Sequence, residues 1–288
     1  MRKARSYPLL TILALVFFFG CQVSFFVSVN GESSTLFVRV TDARPALPDG
    51  IEGVFITFEE FFVHRRGGDW ISLELVNSPY AIDLLALHSG KTSQLVKPAK
   101  LEDGKYDRIR ASVSSVAVLS EGVFYSVALP PETLIIEREF FFKLEEGQTL
   151  DLTIDFDLSQ SLSISGPSPN HSYELEPVLH INPTKEVASI QGEIAARNFE
   201  EHKSVEATVT IFLDRDFSGG LSGADEEYTR IIVDRENPEF EIFWLAPEEG
   251  YIIQIDMDGS EPPEFEQFVF PADLQKGDTY QLNHGYPI

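Results

Sequence analysis

The chain has a single cysteine, Cys21, so no disulfide can close within it and no cysteine-based metal cluster can form. It is also poor in basic residues, with 22 Lys and Arg against 46 Asp and Glu and a formal net charge of −24. A surface of that sign repels nucleic acid and anionic lipid headgroups, which excludes nucleic-acid binding and leaves divalent cations or basic partners. Catalytic signatures are missing as well. There is no nucleophile elbow and no His-Glu-x-x-His pair. Ser89-Gly90-Lys91-Thr92 has the end of a phosphate-binding loop, but Leu85 stands where its first glycine is needed. The histidines His64, His88, His171, His180, His202 and His284 are scattered without metal-ligand spacing. The chain therefore reads as a non-enzyme. A carboxylate-based hydrolase is the least supported alternative, since no pair of acids is singled out.

One apolar run stands out. Arg2, Lys3 and Arg5 precede Tyr7–Phe19, Gly20 and Cys21, the order of basic head, apolar stretch and small residue in an export signal. A sole cysteine at that position points to lipid attachment, palmitate included, although Phe18 and Phe19 depart from the usual box. An uncleaved anchor is the main alternative, because no charge occurs between Arg5 and Glu32. A buried structural cysteine is the other. The expected layout is a lipoprotein-type signal at 1–20, a tether at 21–33, and export to a bacterial cell envelope, with the protein membrane-anchored and facing the periplasm or exterior.

Beyond that segment the hydrophobic period is two. Leu150 to Asp157 alternates without a break, and Val205, Ala207, Val209, Ile211 and Leu213 share one face. Further strands are expected over Leu36–Thr41, Val54–His64, Trp70–Leu75, Tyr106–Leu119, Phe124–Leu129, Glu139–Leu144, Tyr173–Ile181, Arg230–Asp234, Phe240–Trp244 and Tyr251–Met257. Glycine-rich turn signals separate them. Within Tyr106–Leu119 the apolar parity changes between Val113 and Val116, which places a bulge near Ser114-Ser115. The only helix candidate of note is Ile82–His88, with a turn near Ala272–Gln275. The expected fold is all-β: two β-sandwich domains, immunoglobulin-like or transthyretin-like, at 34–183 and 187–288, divided at Asn182-Pro183-Thr184-Lys185-Glu186.

Leu36 to Ala43, Val54 to Phe58, Asp83 to Leu87, Gly104 to Arg110, Leu152 to Asp157 and Tyr173 to Val178 resemble the bacterial lipoprotein domain of unknown function 4382 over nearly all of 35–182. Arg44 departs from the proline usual there. The resemblance implies an exported, membrane-tethered protein and no established activity. Gly192-Glu193-Ile194, Val209 to Leu213, Phe240 to Ile242 and Gly250 to Ile253 are similar to carboxypeptidase regulatory-like or transthyretin-like modules and to the B-repeats of bacterial adhesins.

The loop 214–226 carries the one constellation with chemistry. Asp214, Asp216 and Ser218 fill the first, third and fifth places of a calcium loop, Gly219 the sharp turn, and Ser222 and Asp225 the ninth and twelfth, with Glu226 as a substitute. Hard oxygens at this spacing can wrap a calcium ion, the one cofactor expected, although a solvated acidic hairpin loop fits the same residues. The row Asp151, Asp155, Asp157 reads as the wet side of a strand, with a cation-collecting role as the lesser alternative. His64-Arg65-Arg66 reads as a solvated hairpin tip that could also meet an acidic glycan. Partners are then the membrane and an unnamed protein or glycan, for which Trp70, Tyr125, Tyr228 and Trp244 are the aromatic candidates.

Overall fold

The computed structural model describes residues 33–42, 46–47, 50–129, 135–166, 172–201, 204–247, 250–257 and 268–282; Cys21, the rest of the expected signal and tether up to residue 32, Arg44, His171, His202 and His284 lie outside them. Glu32–Ile288 is one compact unit. Its described strands are β1 (Ser34–Thr41), β2 (Ile51–Arg65), β3 (Trp70–Leu73), β4 (Tyr80–Asp83), β5 (Ser93–Gln94), β6 (Ala99–Leu101), β7 (Gly104–Ser120), β8 (Val123–Ser126), β9 (Ile135–Leu144), β10 (Thr149–Phe156), β11 (Leu162–Ser165), β12 (Ser172–Leu175), β13 (Leu179–Pro183), β14 (Ala188–Glu193), β15 (Glu206–Leu213), β16 (Glu226–Asp234), β17 (Glu239–Leu245), β18 (Gly250–Met257), β19 (Phe268–Asp273) and β20 (Thr279–Leu282). Two short helices, α1 (Leu158–Ser161) and α2 (Ala196–Glu201), complete them. The protein is all-β.

The first half builds two larger sheets. One runs β13-β10-β1-β5 with β6 also on β1, and the other runs β3-β2-β7-β8 with β4 on β2 and β9 on β7. Alternation along β1 buries Leu36, Val38 and Val40 and leaves Phe37 and Arg39 half-buried. Val54, Ile56 and Phe58 do the same along β2, and both sets join a single cluster in which the Phe58 and Phe156 rings meet at 6.1 Å. Each such fully buried aliphatic or aromatic side chain contributes about 1.5–3 kcal/mol. The parity change in β7 is a bulge: Thr57 pairs with Ser115 and Phe58 with Val113, so Ser114 is the extra residue. Ile109, Ala111, Val113, Val116 and Val118 thereby all face the core.

In the second half the sheets are β17-β14-β20 and β16-β15-β18-β19. Ala207, Val209 and Ile211 of β15 lie on the core face beside Ile190, Ile242 and Ile253. Val205, expected on the same face, is 72% exposed because the strand begins one residue later. The two hydrophobic clusters divide between Leu175 and Ala188, on either side of the expected boundary.

Two further expectations change. Ile82–His88 is not a helix: Ile82 pairs with Ile56 in β4, and only Leu85–Leu87 form a 3-10 turn. The Asp83 carboxylate holds that corner by accepting from the Val54 and Leu85 amides, each at 3.1 Å. Tyr173–Ile181 is two strands, with β12 on β11 and β13 on β10. Pro177 lies between them and has no N–H to offer a ladder, so the chain changes sheets there. Strand β1 pairs with β10, and β14 with β20, in parallel.

Candidate functional site

The β15–β16 hairpin brings Asp214, Asp216 and Asp225 together, with one carboxylate oxygen from each within 4.8 Å of the others. Asp214 anchors the group. It is 8% exposed, its amide donates to the Gly250 carbonyl at 2.9 Å, and its two oxygens accept from the Ser218 and Gly219 amides at 3.0 and 2.9 Å. The sharp turn this needs is supplied by Phe217 and Gly219, at φ 54° and 70°. Asp225 closes the loop by accepting from the Arg215 amide at 3.1 Å and the Ser222 amide at 2.6 Å. Hydrogen bonds from the Ser218 and Ser222 side chains hold the Asp216 carboxyl below the usual carboxylate range.

Of the six expected ligands, then, three carboxylates converge. Ser218 Oγ also donates to the Gly220 carbonyl at 2.7 Å, and Ser222 Oγ accepts from the Ala224 amide at 3.1 Å, so both hydroxyls brace the loop. Glu226 does not join the trio. It is 65% exposed and bound by Arg215, whose Nη2 donates to it at 2.7 Å. Three hard oxygens at this separation suit a divalent cation whose remaining ligands would be carbonyls, hydroxyls or water.

The acidic row of β10 is not a wet face. Asp151 is paired with Arg39 at 2.9 Å, whereas Asp155 and Asp157 are 2% and 1% exposed. Alternation fails there because the face that carries Asp155 meets buried Tyr228 of β16, so the far end of β10 is covered on both faces. Asp157 caps α1, accepting from the Gln160 amide at 3.1 Å and from the Gln160 side chain at 2.9 Å. Fully buried Asp42 sits at the same helix end, where its Oδ1 accepts from the Leu158 amide at 3.3 Å.

That helix reaches the second half of the chain. Gln160 Nε2 donates to the Tyr228 carbonyl at 2.6 Å, and His180 Nε2 donates to the same oxygen at 3.1 Å. Asn182 Nδ2 donates to the Trp244 carbonyl at 2.9 Å. Trp244 is one of two β17 residues facing Ser189 across a bulge, and its φ of 65° is a strained value for a bulky residue. A cleft of about 490 Å³ flanks the His180–Tyr228 contact, with Arg138, Glu176, Arg215 and Glu227 on its walls. A second cleft, of about 550 Å³, is lined by Gln191, Glu193, Glu239, Glu241, Phe243 and Gln281.

His64 is not part of a solvated tip. Its Nδ1 lies 2.6 Å from Asp107, and Trp70 beside it is covered by the Arg108 and Arg110 guanidinium groups at 5.1 and 4.0 Å. Arg65 is held by Glu102 and by the Asp103 carbonyl. The other aromatic candidates are no more open: Tyr228 is buried, Trp244 is half-buried, and Tyr125 packs against Tyr173 with rings 5.4 Å apart. The Ser89–Thr92 segment follows a 3-10 turn rather than leading into a helix, as a phosphate loop would.

Sheets, clusters and an acidic hairpin loop define an all-β protein with a candidate cation loop in its second half. Residues 33–177 match the family described as "Domain of unknown function (DUF4382)", and the chain belongs to it. No curated protein matches the sequence. Among solved structures, the chain is similar to the Bacillus anthracis TIE protein at 8% identity and a TM-score of 0.24, covering 86% of this chain and 56% of that one. It is also similar to the fimbrial anchor protein Mfa2 from Porphyromonas gingivalis (8% identity, TM-score 0.19, 84% and 83% covered). A third likeness is to the major pilin from Streptococcus pyogenes (10% identity, TM-score 0.16, 87% and 98% covered). Among the described residues no helix is long and apolar enough to cross a membrane.

Proposed function

We propose that this is an exported, membrane-tethered lipoprotein with a non-enzymatic binding or scaffolding role at the cell envelope, built from two β-sandwich domains at 34–183 and 187–288. Calcium held in the 214–226 loop stiffens the second domain. The observation that carries the calcium reading is the convergence of Asp214, Asp216 and Asp225 within 4.8 Å at the end of one hairpin. The division into domains is supported by two separate hydrophobic clusters, the first fed by three sheets and the second by two. The tether rests on Cys21 behind its basic head and apolar run.

Calcium titration of the full chain tests the first point. Binding to the folded state alone raises the melting temperature as ligand exceeds its dissociation constant. The absence of both heat and melting shift at millimolar calcium would rule the site out. For the tether, Cys21→Ser should release the protein from the membrane fraction; unchanged processing and membrane association would favour the uncleaved anchor.

A glycan-binding role is the second reading, and one observation favours it. The 550 Å³ cleft presents a cross-strand polar row in which Gln281 donates to Gln191 at 2.6 Å and Gln191 donates to Glu241, beside the Phe243 ring. Planar amides and carboxylates next to an aromatic face suit a polyhydroxyl ligand. Screening the full chain against a glycan array, with Gln191→Ala as control, tests this. Binding that survives the substitution would place the ligand elsewhere.

A further inference from the structure

The three carboxylates at the first-half end of the junction are arranged in a way that neither calcium nor tethering uses. Asp42, Asp155 and Asp157 are 0%, 2% and 1% exposed. Asp42 directly follows Thr41, the parallel partner of Asp155, and Asp155 is the antiparallel partner of His180. The groups acting on Asp42 are Asp155, Asp157 and, from β4, Asp83; all are acidic. His180 lies 4.0 Å from Asp157 and already donates to the Tyr228 carbonyl. Buried Tyr228 faces Asp155 and Asp157 from β16, and Glu226 acts on His180 from the same strand.

Within this group Asp42 Oδ2 is completely enclosed and has no hydrogen-bond partner among the described residues, while Oδ1 accepts from Leu158. An ionised oxygen buried without a donor is strongly disfavoured, and two further carboxylates nearby add repulsion. A proton on Oδ2 removes the charge, and with it the cost of burying an ion and the repulsion from the neighbouring carboxylates.

We propose that Asp42, Asp155 and Asp157 form a proton-binding site in which Asp42 stays a neutral carboxylic acid in the folded protein. The bound proton lets Asp42 and Asp157 share the N-terminus of α1, and α1 in turn holds Gln160 on Tyr228. Losing the proton leaves an unpartnered charge on Oδ2 beside Asp155 and Asp157 and loosens that hold. Burial first, and the Asp155 charge second, push the Asp42 carboxyl well above the usual carboxylate range. An acid raised on folding contributes stability at low pH that is lost as pH rises above its unfolded value of about 3.9.

The test compares the full chain with Asp42→Asn, which keeps the shape of the neutral acid. Denaturant unfolding is followed from about pH 5 to about pH 9, and the infrared carbonyl stretch of a protonated carboxyl is recorded at neutral pH. Relative to the variant, the wild type should lose stability as pH rises, and the protonated-carboxyl band should be present in the wild type and absent from the variant. Amide exchange at Leu158 and Ser161, corrected for its intrinsic rate, should quicken with pH in the wild type only. The proposal is overturned if the wild type shows no such band, if both proteins share one pH slope, or if sodium or calcium restores alkaline stability, which would make the site one for a cation. Should the variant not fold, the wild-type infrared titration alone decides.

Discussion

His180 lies flat on Tyr228, with ring centroids 3.9 Å apart and 22° between their planes, while its Nε2 donates to that residue's own carbonyl. One imidazole thus joins a strand of the first hydrophobic cluster to a strand of the second.

The contact predicts an acid limb in stability. Burial is the main cause that lowers the His180 pKa, against the opposing pull of Asp157. A histidine kept neutral by folding contributes stability above its unfolded value of about 6.5, and loses it as pH falls below that. His180→Phe keeps a ring on Tyr228 and should remove this part of the acid limb while costing about 1 kcal/mol for the lost hydrogen bond. Denaturant midpoints between about pH 4 and about pH 8 would show it.

The loop predicts unequal roles for neighbouring acids. Asp225 belongs to the converging trio and Glu226 is held by Arg215. Asp225→Asn should weaken calcium binding by about tenfold or more, and Glu226→Gln by less than about threefold, as read by calorimetry. Equal losses would mean that Glu226 leaves Arg215 to join the ion.

Two glycines should respond unequally. A Cβ on Gly192 would lie 2.5 Å from the Phe240 ring and 3.2 Å from the Leu282 carbonyl, whereas one on Gly220 meets nothing within 4 Å. Gly192→Ala should cost about 1–3 kcal/mol through overpacking, and Gly220→Ala should stay within about 0.5 kcal/mol. Thermal unfolding of both separates them.

Glu137 ties two arginines beside Trp70, accepting from Arg108 at 3.1 Å and from Arg110 at 2.6 Å. Burial alone would raise its pKa, but the bonds and charges of Arg110 and then Arg108 outweigh it and hold the carboxyl below the usual range. The stability this provides is present above the unfolded value and lost as pH falls. Glu137→Gln should flatten that acid limb, and tryptophan fluorescence should report the loosened guanidinium cover.

Much of this fold was legible because alternation records burial on one face. Val209 and Ile211 follow it, and the parity change between Val113 and Val116 placed a bulge near Ser114-Ser115, where Ser114 is the extra residue. Alternation is silent about a second face, which is why Asp155 and Asp157 read as solvated when Tyr228 and Gln160 lie against them. Short partners such as β5 and β6 carry too few residues for a period, and β4 was hidden because Ile82–His88 fits either period. In the loop, residue spacing identified the acids that meet but not the arginine that occupies Glu226. Pro177 was a usable sign that Tyr173–Ile181 is two strands.

The parallel pairing of β1 with β10 bears on how the chain comes to be folded. Arg39 and Asp151, joined across that pair, are 112 residues apart in sequence. One side of the β1 ladder therefore stays open until β10, more than a hundred residues further along the chain, is in place. Such distant contacts slow folding and prolong the exposure of sticky segments. A chain with this order of strands should refold slowly from denaturant and scatter light on the way, the more so at high protein concentration.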